Sequence, residues 1–72
     1  MKVFAHSLIV TRIGGELTVH AGGTGDGRLC KVGFDSADPD NPYCVNNGCT
    51  QACVLKSEDL GNGSKHYWCD CE

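Results

Sequence analysis

"CTQACVLKSEDLGNGSKHYWCDC", residues 49–71, places Cys49 and Cys53 four positions apart and, after fifteen intervening residues, Cys69 and Cys71 two apart. Residues four apart share a helix face one turn from each other, whereas residues two apart share one face of a strand. With Asn46 or Asn47 as the N-cap, the first pair is expected on a short helix, with Val45, Ala52 and Lys56 nearby. The second pair is expected on a strand, since "KHYWCDC" has the aromatic content that suits a pleated surface. Between them "SEDLGNGS" reads as a turn-rich connection long enough to reverse the chain. On this reading two parallel disulfides clamp a helix face to a strand.

The rest of the composition agrees with a stapled molecule. Seventy-two residues make one domain, with six cysteines and ten glycines. At this size, apolar burial exceeds the entropy lost on folding by only about 3–5 kcal/mol, so cross-links are needed. An even number of cysteines in a short, glycine-rich chain reads as a disulfide framework whose connectivity stays open, and an oxidising compartment is the default expectation. The opening "MKVFAHSLIV" begins like a secretory leader, but His6 interrupts its apolar run and Thr11 and Arg12 end it, so it is not expected to be one. No apolar run reaches the length of a membrane span. The formal net charge of −3 weighs against a nucleic-acid backbone or an anionic membrane as partner.

Three parts are expected along the chain. In residues 1–21, Gly14-Gly15 lies between two β-rich runs and suits a two-residue hairpin turn, because glycine tolerates positive φ. That register pairs Arg12 with Leu17, Val10 with Val19 and Leu8 with Ala21. One face then carries Phe4, Leu8, Val10, Leu17, Val19 and Ala21, with Thr11, Thr18, Glu16 and His20 opposite. Residues 22–43, rich in Gly, Asp and Pro, are expected to be mostly loop around Cys30. Asp35, Asp38 and Asp40 lack the alternating spacing and terminal Glu of a calcium loop, and a solvated acidic loop is preferred. The segment also lacks the Lys-Ser/Thr signature of a phosphate-binding loop. "GGTGDGR" is either a recognition loop or a passive connector. Residues 44–72 form the cysteine-rich helix–strand unit. The fold class expected is a small disulfide-rich α+β domain, mostly β.

The spacing Cys49-x3-Cys53, fifteen residues, Cys69-x-Cys71 resembles the cysteine-stabilised αβ motif of defensins and scorpion toxins, over roughly the last third of the chain. The resemblance implies Cys49–Cys69 and Cys53–Cys71 bridges from helix to strand. That family has a further strand cysteine near the positions of Gly63 and Ser64, which is absent here, so Cys44 is left to Cys30. "CVNNGCTQAC" with "YWCDC" is also similar to the first five cysteines of an epidermal-growth-factor-like module, which likewise implies Cys49–Cys69 but joins Cys53 to Cys44.

The same residues bear on other chemistries. Zinc sites favour cysteine pairs with two intervening residues, which neither pair has, and a structural zinc or iron–sulfur site is the intracellular alternative. His66 beside Cys69 reads as a strand residue rather than part of a thiol catalyst. His6 and His20 read as polar sheet positions able to face each other across the hairpin. Asn62-Gly63-Ser64 fits both a glycosylation acceptor and a plain turn. Tyr67 and Trp68 alternate, so one is expected to cover the core and the other to offer a contact to a partner. The function expected is a non-enzymatic, secreted, toxin-like or defensin-like effector that binds a protein target and needs no cofactor. The alternatives are an extracellular growth-factor-like interaction module and the small intracellular metal protein.

Overall fold

A computed structural model of the chain describes residues 1–24, 27 and 29–72. Within them the secondary structure is β throughout. The strands are β1 (Lys2–Ala5), β2 (Ser7–Ile13), β3 (Glu16–Gly22), β4 (Cys30–Asp35), β5 (Asp38–Asn46), β6 (Cys53–Gly61) and β7 (Ser64–Cys71). They form two antiparallel sheets, a three-stranded one in the order β1-β4-β5 and a four-stranded one in the order β3-β2-β7-β6. The chain passes from one sheet to the other at His6, whose N–H donates to the Gly22 carbonyl at 2.9 Å.

The N-terminal hairpin has the register expected from Gly14-Gly15, with Leu8 opposite Ala21, Val10 opposite Val19 and Arg12 opposite Leu17. Its apolar face meets β4, and the core joins Ala5, Leu8 and Val10 to Cys30, Val32, Phe34 and Cys69. Val3, Val19 and Tyr67 pack against this cluster. Three residues of the expected face stay out of the core. Leu17 is 38% exposed near the hairpin tip, Ala21 is exposed, and Phe4 belongs to β1 on the outside of the other sheet.

Phe4, Gly33 and Tyr43 stand side by side across β1, β4 and β5. A Cβ on Gly33 would meet the Tyr43 ring at 2.7 Å and the Phe4 ring at 3.0 Å, so the missing side chain is what lets two aromatic rings close over the centre of the sheet. The Lys31 ammonium sits 5.0 Å from the Phe4 ring centroid.

Two expectations are corrected. Residues 22–43 are not mostly loop, since they hold β4 and the start of β5, joined by a turn at Ser36-Ala37. Pro39 and Pro42 are tolerated because β5 is an edge strand and slips its register opposite Phe34, so the missing N–H groups break no ladder.

The short helix carrying Cys49 and Cys53 is also absent, and no helix occurs among the described residues, so the fold is mostly β rather than α+β. The cap was legible, but the helix does not follow it. The Asn46 side-chain oxygen accepts from Gly48 N at 3.1 Å and Cys49 N at 2.8 Å, which are the contacts of an N-cap. Gly48 then takes φ 143°, outside any helical conformation, and the chain pairs Ala52 with Glu72 through two backbone hydrogen bonds of 3.0 and 2.8 Å before entering β6. The six residues 47–52 offer too little helix to outweigh the strand pairing that follows.

Candidate functional site

Parity along the strands decides where each chemically interesting side chain points. On the three-stranded sheet, Val32 pairs with Cys44 and Cys30 with Asn46, so Cys30 and Cys44 are diagonal neighbours on the inner face. On the four-stranded sheet, Leu55 pairs with Cys69 and Cys53 with Cys71, so Cys53 and Cys69 are likewise diagonal neighbours. The two diagonals face each other across the core.

The bridges are Cys30–Cys53, Cys44–Cys69 and Cys49–Cys71, with Cα–Cα separations of 5.7, 5.9 and 5.7 Å. None of the pairs implied by either resemblance is formed. Cys49 reaches Cys71 rather than Cys69, Cys53 reaches Cys30 rather than Cys71 or Cys44, and Cys44 reaches Cys69. Once the helix is replaced by a loop and β6, Cys53 and Cys69 belong to adjacent strands of one sheet, and their nearest thiols lie on the sheet opposite. Every bridge thus ties the segment 30–49 to β6 or β7. Their sequence separations of 23, 25 and 22 residues each contribute about 3 kcal/mol by restricting the unfolded chain.

On the outer face of the four-stranded sheet, successive strands align His20, Ile9, His66 and Glu58 in one row and Gly22, Ser7, Trp68 and Lys56 in the next. Trp68 is half-buried and held in place. Its ring lies 4.8 Å from that of His66, and its indole N–H donates to the Asp70 carboxylate at 3.1 Å. Tyr67 takes the other face and packs on the core, so the alternation expected of this pair is present. Lys56 pairs with Glu72, and this hydrogen bond raises the lysine pKa above its ordinary value.

His66 faces away from Cys69, because the two differ in parity along β7. His6 and His20 do not face each other. His20 pairs with Ile9, whereas the His6 ring lies against Gly23.

Asp35, Asp38 and Asp40 are engaged in contacts within the protein. Asp35 accepts from Ala37 N at 2.9 Å and meets the N-terminal ammonium at 3.4 Å, and these contacts hold its carboxyl below the ordinary value. Asp38 accepts from Asn41 at 2.9 Å, and Asp40 pairs with Arg12 of the opposite sheet. Gly25, Asp26 and Arg28 of the glycine-rich segment lie outside the described residues.

At the end away from the disulfides, the β6–β7 turn at Asn62-Gly63 and the Arg12–Asp40 pair border an open cleft of about 480 Å³, with Asp59, Lys65 and Tyr67 along its wall. Cross-strand opposition of Asp59 and Lys65 leaves the rim with charges of both signs. Sequence reasoning missed this cleft and the Ile9–His66 row because both depend on β2 lying beside β7. Period-two alternation through "SLIVTRI" and "SKHYWCDC" was the available signal for two-faced strands, but not for their adjacency. No family model matches the chain, and neither the curated proteins nor the solved structures provide a match.

Proposed function

We propose that the protein is a secreted, non-enzymatic effector that binds a protein target through the outer face of its four-stranded sheet. The observation that carries this reading is Trp68. It stands on an interior strand, fixed by His66 and Asp70 and half-exposed beside Ile9, Ser7 and Lys56. A large aromatic already held in one conformation loses little entropy on binding, and such residues anchor protein interfaces. The three bridges support the same reading from below, because they hold the sheet that carries Trp68 against its partner sheet. They are compatible with an oxidising, extracellular setting.

A photo-crosslinking residue placed at Ile9 or Glu58 should capture one saturable adduct from the extracellular fluid of the source, and Trp68→Ala should abolish it. The same probe at Lys31, on the outer face of the other sheet, should give none. Equal adducts from all three positions, or an adduct unaffected by Trp68→Ala, would refute the reading. The secreted setting has its own test, since protein collected outside cells should gain about 6 Da on reduction, two hydrogens per bridge. Free thiols in that material would sink it.

A further inference from the structure

The Sγ atoms of Cys30, Cys44, Cys53 and Cys69 all lie within 4.8 Å of one another. Cys30 and Cys69 are buried and Cys44 and Cys53 half-buried, so the four sulfurs form one group between the facing sheets. From this geometry we infer that the reduced chain holds a thiophilic divalent cation, of the Zn²⁺ class, in a four-cysteine site built from Cys30, Cys44, Cys53 and Cys69.

The site follows from the sheet geometry. Each sheet contributes one diagonal pair on its inner face, and two diagonals facing each other across a core place four ligands at the corners of a distorted tetrahedron. A tetrahedral zinc thiolate with Zn–S of about 2.3 Å spaces its sulfurs about 3.8 Å apart. The unbonded sulfurs therefore need to close by no more than about 1 Å, and the bonded ones to part to the same spacing. The Cα separations of 5.7 and 5.9 Å leave room for that spacing by rotation about the Cα–Cβ bonds.

The chemistry balances with a dithiol as reductant. Two dithiol molecules reduce Cys30–Cys53 and Cys44–Cys69, each becoming a disulfide itself and delivering two electrons and two protons to one bridge. The four thiols then lose four protons on taking up one divalent ion, so affinity rises with pH. In the oxidised chain the same sulfurs are not thiolates, and the site is closed. One set of four cysteines is thereby either a covalent staple or a metal staple, according to the redox state of its surroundings. The proposal is independent of the binding role of Trp68.

Cys49 and Cys71 provide the internal control, because they form a second group with Cys30 that has only three sulfurs. Anaerobic titration of the fully reduced chain with Co²⁺ should show one equivalent bound. Its absorption should be that of a tetrahedral tetrathiolate, displaced by one equivalent of Zn²⁺. The double variant Cys49→Ser/Cys71→Ser should keep this spectrum, Cys44→Ser/Cys69→Ser should lose it, and the oxidised chain should never show it. Absence of the tetrathiolate spectrum in the reduced wild-type chain would overturn the inference. So would its loss in Cys49→Ser/Cys71→Ser or its persistence in Cys44→Ser/Cys69→Ser. Because the spectrum reports ligands directly, the second variant is informative whether or not it folds without metal.

Discussion

The β2–β3 and β6–β7 hairpins reverse direction in the same way but are held by different forces. Gly14-Gly15 and Asn62-Gly63 are both two-residue turns with positive φ at each position, 57° and 82° in the first and 51° and 78° in the second. This geometry matches the right-handed twist of the strands it joins. Beyond the turns the two diverge. The first hairpin is anchored by Leu8 and Val10, fully or almost fully buried, whereas the strands of the second carry three of the six cysteines, one from each bridge, and few buried apolar side chains. One half of the molecule is held by hydrophobic burial and the other by covalent bonds. A small domain can divide its stabilisation between its halves in this way, because neither source alone is sufficient at this size.

The largest expected effect breaks the covalent side. Cys44→Ser/Cys69→Ser removes the bridge that includes the fully buried Cys69 and should destabilise the fold by about 2–5 kcal/mol, read by urea titration. Cys49→Ser/Cys71→Ser should cost less, since Cys71 is exposed and its bridge lies at the rim. Equal losses would show that position in the core does not matter.

Next, Leu8→Ala tests the hydrophobic side, with an expected loss of about 2–4 kcal/mol from a residue with no exposed surface. Leu55→Ala, at 40% exposure on β6, should cost under about 1 kcal/mol. If the two substitutions cost the same in thermal melts, the division between the halves fails.

A finer contrast lies in the turns themselves. Gly14 has nothing within 4 Å of where a Cβ would stand, whereas a Cβ on Gly63 would run into the Arg12 carbonyl oxygen of β2. Gly14→Ala should therefore cost about 1 kcal/mol from its positive φ alone, and Gly63→Ala about 2 kcal/mol or more. Denaturation midpoints that reversed this order would show that the β6–β7 turn does not lean on β2.

The smallest effect is electrostatic. The hydrogen bond from Ala37 and the neighbouring N-terminus lower the folded pKa of Asp35 below its unfolded value of about 3.8. Its contribution is therefore present above that pH and fades as pH falls through the lower folded value. Asp35→Asn should lower the melting temperature at pH 7 only slightly, because the group is exposed and screened, and the difference should shrink as pH falls below about 3.8 and the carboxyl is protonated. A difference undiminished at low pH would exclude charge as the cause.

What could be read without coordinates follows the same division. The β2–β3 register was legible because its signals are local, namely a turn that only glycine accommodates easily and strict alternation on either side of it. The opposition of Tyr67 and Trp68 was legible for the same reason. In residues 44–53 the local signal was present and still misled. Asn46 makes the expected capping contacts with Gly48 and Cys49, but the chain beyond them joins a strand. Pro39 and Pro42 read as loop residues because nothing in the sequence says that β5 lies at the edge of a sheet.

The sequence by itself determined that this chain needs cross-links, that six thiols are available to make them, and where its first hairpin turns. Cysteine spacing states which thiols can share a face, but not which face will lie opposite. Only the tertiary structure decided the partners, because packing two sheets brings Cys30 and Cys44 over Cys53 and Cys69 and turns Trp68 toward solvent. Those relations join residues more than twenty positions apart, and no local preference of the backbone encodes them.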